Sequence, residues 1–259
     1  MKKIGIATFC RANNYGAVLQ AYGLSQYLKK DNEVEFLDLR FNPAVENVQK
    51  KDKYSLYQKI FGKIRAFKFE QFRNENLKIS NEVIYGDKDS EKLQDKYDYY
   101  VVGSDQVWNT DITNNTRAFF LDFVKEKPKI AYAASFGKSN LNETERKLSE
   151  ENLKNYKGLS VREKQSAIYL KQELNINAQV VCDPVFLISK NEWIKKCNLK
   201  NKKKSYILIY YMECNSILEL VIEKIKKEYN FPIIAIQGGM QKLKGIKHLD
   251  GIGPKDFLN

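Results

Sequence analysis

Short apolar runs alternate with amphipathic segments along the chain. The first run, residues 3–9, follows a charged end and predicts a short buried strand. Residues 15–30 carry apolar side chains at helical spacing, and residues 34–39 form a second strand-like run. This strand–helix–strand order predicts a parallel sheet with a right-handed crossover connection.

The alternation continues to the end of the chain. Further strands are predicted at 97–102, 129–135, 158–161 and 178–182, and helices at about 54–77, at 143–156 and directly after residues 162–163. Beyond a lysine-rich linker at 200–204, the pattern restarts with a strand at 206–211, a helix at 217–229 and a strand at 232–237. The sequence therefore predicts an α/β protein of two Rossmann-like units, residues 1–185 and 186–259, of which the second shows only two clear strands.

Composition narrows the class of protein. Apolar residues make up 43% of the 259 positions, which is enough for a hydrophobic core, and no apolar run approaches the roughly 20 residues that span a bilayer. The four cysteines form no CxxC pair, and none lies close to the one histidine. We therefore expect neither a metal site nor a disulfide framework, and a reducing cytoplasm fits best.

The net charge of +12 raises the question of an anionic partner. Only seven of the 44 basic residues are arginine, so 37 are lysines, and these are spread over the predicted helix surfaces. Basic and aromatic residues do not interleave in the way that binds single-stranded nucleic acid. A solvated lysine surface is the favoured reading, and an anionic substrate or membrane surface stays open as the alternative.

Four polar clusters follow predicted strands, where open α/β sheets bind ligands. The first contains Asn13, Asn14, Tyr15 and Gly16. Amide side chains suit sugar hydroxyls, and the glycine lets a ligand approach the N-terminus of the following helix. The structural alternative is a turn in which Asn14 caps that helix.

The second cluster contains Ser104, Asp105, Gln106, Trp108 and Asn109. A carboxyl group beside an apolar ring has its proton affinity raised by desolvation, so Asp105 is a candidate general acid. The alternative is a turn with the indole ring in the core.

The third and fourth clusters centre on Arg162 with Glu163, and on Asp183. A guanidinium where a strand meets a helix N-terminus is suited to a carboxylate or a phosphate. The alternatives are a surface Arg–Glu pair and a plain turn after the last strand.

Four stretches at these clusters, in this order, resemble the polysaccharide pyruvyl transferase family. They are NNYGAVLQ at 13–20, VGSDQVWN at 102–109, SVRE at 160–163 and DPVFL at 183–187. The resemblance implies a fold like the two-domain GT-B glycosyltransferases, with the active site in the cleft. It also implies a transfer of pyruvyl from phosphoenolpyruvate to two hydroxyls of one sugar, which forms a ketal without a cofactor or metal.

The same resemblance assigns Arg162 to donor binding, and we expect Asp105 to share the catalytic work. The predicted substrate-binding residues are Asn13, Asn14, Tyr15, Gly16, Ser104, Gln106, Trp108, Asn109, Glu163 and Asp183. The acceptor would be a bacterial surface polysaccharide or its lipid-linked precursor, and nucleic acid would not be a partner. We expect a cytoplasmic protein with peripheral contact to the inner face of the membrane, and with a tendency to form homo-oligomers.

The resemblance also implies further catalytic residues in a later, histidine-bearing segment. The chain ends at Asn259 without that segment, so we expect the second unit to be incomplete. The alternatives are a truncated non-catalytic family member and a glycosyltransferase of similar fold. The second alternative would place a nucleotide pocket near Gln237-Gly238-Gly239.

Overall fold

The larger of two parallel β-sheets carries the predicted clusters. The structure, a computed structural model, describes residues 1–40, 55–200, 205–237 and 242–259. The strands of the larger sheet are β1 (Lys2–Ala7), β2 (Asn32–Arg40), β3 (Ile79–Tyr85), β4 (Tyr99–Val102), β5 (Lys129–Ala134), β6 (Gly158–Val161) and β7 (Gln179–Val180). Their order is β3-β2-β1-β4-β5-β6-β7, and every neighbouring pair is parallel. The prediction of a mostly parallel α/β fold is confirmed.

Helices alternate with the strands along the chain. They are α1 (Tyr15–Leu28), α2 (Leu56–Asn76), α3 (Asp87–Ser90), α4 (Thr110–Thr113), α5 (Glu143–Asn152), α6 (Lys164–Leu174), α7 (Lys190–Cys197), α8 (Ser216–Glu228) and α9 (Pro254–Leu258). Short 3-10 turns lie at Glu91–Leu93, Arg117–Phe120, Leu153–Asn155 and Pro184–Leu187. No helix within the described ranges combines the length and the apolar character that a membrane span requires.

The smaller sheet has one strand more than the sequence pattern predicts. It consists of β8 (Ile207–Tyr211), β9 (Ile233–Gln237) and β10 (Lys247–His248), paired in parallel in the order β10-β9-β8. The two-strand prediction was wrong because β10 is only two residues long and has no periodicity to detect. Residues 201–204 of the predicted linker, and Gly238-Gly239 of the predicted nucleotide turn, lie outside the described residues.

The end of the chain returns to the larger sheet. Phe257 of α9 stacks on Tyr15 of α1 with ring centroids 4.4 Å apart, and the Tyr15 hydroxyl donates to the Ile252 carbonyl at 3.1 Å. Trp193 of α7 packs against Tyr22 of α1, with ring centroids 5.2 Å apart. Residues beyond 185 therefore contribute to the core around α1. The domain boundary at 185 and the incomplete second unit stay predictions.

The strand order reverses beside β1. The chain builds β2 and β3 on one side of this central strand and β4 to β7 on the other. In such sheets the loops diverge at the carboxyl ends of the two strands and leave a crevice for a ligand. The four polar clusters of the sequence all follow carboxyl ends on this edge.

Candidate functional site

Arg162 joins the loops that follow three strands of the sheet. Its Nη1 lies 3.4 Å from the Ser104 Oγ and 3.3 Å from the Asp183 Oδ2, and its Nε donates to the Glu163 Oε1 at 2.9 Å. The Ser104 hydroxyl also donates to Asp183 at 3.3 Å. We refer to Ser104, Asp105, Arg162, Glu163 and Asp183 as the Arg162 cluster. Parallel strand order explains it, because residues from 104 to 183 meet only where β4, β6 and β7 end on one edge.

Asp105 occupies a strained backbone position in this cluster. Its φ of 91° lies in the left-handed region, which a non-glycine residue seldom adopts. The position is held because Asp105 forms a parallel bridge with Ala134, and its carbonyl accepts from the Ser135 amide at 3.0 Å. The loop after β4 is therefore fastened to the end of β5, and the Asp105 side chain is fixed with it.

Burial raises the pKa of the Asp105 carboxyl above its ordinary value. A bond from the Gln106 amide and the charge of Arg162 lower this pKa, whereas the charges of Asp183 and Glu163 raise it further. The net shift favours the protonated acid, which is the form that a general acid needs.

Arg162 keeps its charge in the same surroundings. Partial burial disfavours the charged guanidinium, but the bond to Glu163 and the nearby carboxylates outweigh this cost and raise the pKa of Arg162. The cluster thus places one firmly oriented cation among three carboxyl groups. Glu163 is also the N-cap residue of α6, so the free backbone amides of that helix open beside Arg162.

Two buried acceptor atoms border this edge without a hydrogen-bond donor among the described residues. One is Glu163 Oε2, whose partner oxygen accepts from the Ser135 hydroxyl at 2.8 Å. The other is Gln20 Oε1, on α1. A buried acceptor without a partner is costly, so a hydrogen-bond donor that reached either atom would stabilise it.

A short chain of hydrogen bonds links α1 to the loop after β4. The Gln20 amide nitrogen donates to the Thr8 hydroxyl at 2.9 Å, and that hydroxyl donates to the Ser104 carbonyl at 2.7 Å. These contacts fix the loop after β1 next to the Arg162 cluster across the point where the strand order reverses.

The predicted residues of the first loop lie on the same edge but contact other groups. Asn14 caps α1 by accepting from the Ala17 amide at 3.1 Å, while the Asn13 Oδ1 accepts from Arg73 at 3.0 Å. Both asparagines and Gly16 are exposed, whereas Tyr15 is buried. Among the described residues, none of the four forms a hydrogen bond with the Arg162 cluster.

The remaining predicted residues of the loop after β4 support it from within. Trp108 is fully buried and donates its indole N–H to the Phe119 carbonyl at 3.1 Å, so it packs in the core and does not reach the edge. Asn109 caps α4 and donates to the Gln106 Oε1 at 3.1 Å. The large ring with an N–H partner is a core residue here, as the alternative interpretation of this cluster expects.

The comparison with protein families decides the identity of the chain. The model of the family described as polysaccharide pyruvyl transferase matches residues 14–254, which is nearly the whole sequence. The chain belongs to the polysaccharide pyruvyl transferase family. Every residue of the Arg162 cluster falls inside the matched region of this family member.

Solved structures offer distant likenesses to this pyruvyl transferase family member. The UDP complex of S. aureus MnaA shares 15% identity over 100% of this chain and 71% of that chain, with a TM-score of 0.48. UDP-N-acetylglucosamine 2-epimerase from Rickettsia bellii shares 14% identity over 100% of this chain and 71% of that chain, with a TM-score of 0.44. These scores are too low to assign a fold or an activity, and no curated protein matches the sequence significantly.

Sequence reasoning missed a second charged group on the family member's carboxyl edge. Asp38 of β2 is fully buried and accepts two hydrogen bonds from Arg11, at 3.1 and 2.8 Å, and two from Arg40, at 3.0 and 2.9 Å. Burial disfavours the charged carboxylate, but the two guanidinium groups outweigh it and lower the pKa of Asp38. The signal that could have revealed it is a lone aspartate within the apolar run of β2.

Two cavities lie apart from the Arg162 cluster. No three metal-ligating side chains converge in the described part of the chain. Cavities of about 500 and 490 Å³ lie near the amino ends of β5 and β6, away from every candidate residue. The chemistry of the candidate site rests on the Arg162 cluster.

Proposed function

We propose that this chain transfers a pyruvyl group from phosphoenolpyruvate to two hydroxyls of one sugar in a bacterial surface polysaccharide or its lipid-linked precursor. The products are a cyclic ketal and phosphate. Family membership supports the transferase class, and the observation that carries the mechanism is a partly buried acid, Asp105, held beside an oriented cation, Arg162.

Arg162 holds the donor. Glu163 and Asp183 occupy its Nε and Nη1, so these contacts fix the plane of the guanidinium, and Nη2 has no hydrogen-bond partner among the described residues. A guanidinium matches a carboxylate or phosphate through paired N–H groups, and the amides that begin α6 add further donors. The guanidinium and the helix amides can therefore bind the carboxylate and the phosphate of phosphoenolpyruvate together.

Asp105 supplies the proton that starts the reaction. Its acid proton moves to the methylene carbon of the enol, which becomes a methyl group, and C2 becomes cation-like. One sugar hydroxyl attacks C2 and loses its proton to a carboxylate of the cluster, for which the partly exposed Glu163 is our candidate. The second hydroxyl then replaces the phosphate, which leaves as hydrogen phosphate and balances the proton count.

The surroundings of Asp105 favour its role as the proton donor. Burial is the main cause that raises the pKa of Asp105, and the charges of Asp183 and Glu163 add to it against the lowering by the Gln106 amide and Arg162, so this carboxyl holds its proton more readily than an ordinary aspartate. Once the proton is transferred, the new Asp105 carboxylate stands near the positive charge that develops at C2. The arrangement thus stabilises the transition state more than the bound substrate.

The proposal is tested by incubating the chain with phosphoenolpyruvate and a panel of disaccharide and lipid-linked acceptors. Phosphate release that matches the appearance of a pyruvylated sugar by mass spectrometry is the expected result. Arg162→Ala should abolish both signals, while Arg146→Ala, an exposed arginine on α5 with the same change of charge, should keep them. Consumption of a nucleotide sugar with phosphoenolpyruvate untouched would contradict the proposal.

A further inference from the structure

The first three turns of α2 expose apolar side chains on the face opposite the core. Leu56, Ile60, Ile64 and Phe67 are 75%, 48%, 39% and 70% exposed. Their spacing of four, four and three residues places them on one stripe of the helix, which we call the α2 stripe. The core face of the same helix is formed by the buried Phe69 and Phe72.

The second half of α2 shows what an ordinary surface helix presents. There the outward positions are Glu70, Gln71, Asn74 and Glu75, all exposed and polar. A helix of a globular protein buries one apolar stripe and exposes polar residues opposite it. The first half of α2 departs from this rule, because apolar side chains are exposed along the α2 stripe, whereas the second half follows it.

Within α2 itself the charges beside the α2 stripe are all positive, while Asp250 and Asp256 approach the other side of this half of the helix. Residues 55–69 contain four basic residues and no acidic one, and Lys59 and Lys63 are exposed next to the stripe. A second copy of this chain, with its net charge of +12, would repel that surface. An exposed apolar stripe bordered by lysines matches the interface of an anionic bilayer, where apolar side chains insert and lysines meet headgroups.

The position of the α2 stripe relates it to the candidate site. Because α2 connects the parallel neighbours β2 and β3, it begins at the carboxyl edge of the sheet, the edge that carries the Arg162 cluster. Arg65 of this half of α2 donates to the Asn13 carbonyl at 3.0 Å in the loop after β1. A surface that met the α2 stripe would therefore lie beside the crevice.

We infer that the α2 stripe is a docking face for an anionic membrane, with Leu56, Ile60, Ile64 and Phe67 in the interface and Lys59 and Lys63 on the headgroups. The inference does not depend on the identity of the donor. Vesicle binding reports the surface and not pyruvyl transfer, so a failure of either one leaves the other standing.

The test is co-sedimentation with vesicles of equal parts phosphatidylcholine and phosphatidylglycerol. We expect the full chain to bind these vesicles, and the Leu56→Ser, Phe67→Ser double variant to bind at least about tenfold more weakly. The matched control is Ile217→Ser with Leu220→Ser on α8, since each of those side chains is 71% exposed and equally apolar. This control should bind as the unchanged chain does.

A charge variant separates the electrostatic part of the binding. Lys59→Glu with Lys63→Glu should abolish binding to the anionic vesicles, and pure phosphatidylcholine vesicles should bind every variant weakly. The inference is overturned if the unchanged chain does not bind, or if the α8 control loses as much affinity as the stripe variant. It is also overturned if the stripe variant only converts a dimer to a monomer and keeps its vesicle affinity.

Discussion

Replacing Arg162 with alanine should weaken phosphoenolpyruvate binding by roughly 10- to 150-fold. A hydrogen bond to a charged group contributes about 1.5–3 kcal/mol, and 1.4 kcal/mol corresponds to a factor of ten in affinity. The Arg162 side chain is 29% exposed, so water screens part of its charge and the lower half of the range is expected.

The structure also predicts how a conservative replacement behaves. Arg162→Lys keeps the positive charge but cannot bond Glu163 through Nε while reaching Ser104 and Asp183 through Nη1. A lysine at this position therefore recovers attraction for the donor without its orientation. We expect an affinity between those of the alanine variant and the unchanged chain, together with a turnover as low as that of the alanine variant.

Isothermal titration calorimetry with phosphoenolpyruvate measures these affinities directly. Thermal unfolding should accompany it, because removal of Arg162 leaves Asp105, Glu163 and Asp183 facing one another without a cation. Arg146→Ala is the control for net charge. If Arg162→Ala binds within twofold of the unchanged chain while Arg146→Ala does the same, Arg162 does not hold the donor and the reasoning fails.

Three further predictions concern the groups that support the site. Asp105→Asn should keep donor binding and lose phosphate release, and in the unchanged chain release should fall as pH rises through the elevated pKa of Asp105, which a pH–rate profile measures. Asp38→Asn should destabilise the chain by about 2 kcal/mol. This is less than the cost of breaking a fully buried ion pair, because the side chains of Arg11 and Arg40 are 33% and 39% exposed and water screens part of the interaction. Because the folded pKa of Asp38 is lowered, its contribution to stability is present above the unfolded pKa and is lost as pH falls through the folded pKa. The free energy of unfolding, measured with urea from neutral to acidic pH, should therefore depend less on pH in Asp38→Asn than in the unchanged chain. Gly137→Ala should lower the melting temperature, since φ is +67° and the new Cβ would lie 2.1 Å from the Gln106 Oε1, whereas Gly62→Ala in the open face of α2 should raise it.

The elements that the sequence predicted are those with strong periodicity. The strand–helix–strand opening, and the strands before Gly103 and Arg162, are confirmed because their apolar runs are buried on both faces of a parallel sheet. The edge strand β3 was missed, since only Ser80 and Ile84 of its seven residues are buried. An edge strand pairs through its backbone, so its sequence has little need of an apolar run.

The candidate site divides in the same way. Ser104, Arg162 and Asp183 were predictable as a group, because parallel strands bring their carboxyl ends to one edge whatever the residues between them. The pairing of Asp38 with Arg11 was not, since it joins residues 27 positions apart through side chains alone. Assignments of the individual site residues to substrate stay predictions until ligand binding is measured.

The central claim is that a proton reaches the methylene carbon of phosphoenolpyruvate before the sugar is joined to C2. The most direct test is to run the reaction in deuterium oxide and examine the product by mass spectrometry and NMR. The account predicts a ketal whose methyl group carries a single deuterium taken from solvent, formed together with phosphate, and absent with Asp105→Asn. A product that retains the enol double bond, or a ketal formed equally well by Asp105→Asn, would contradict it.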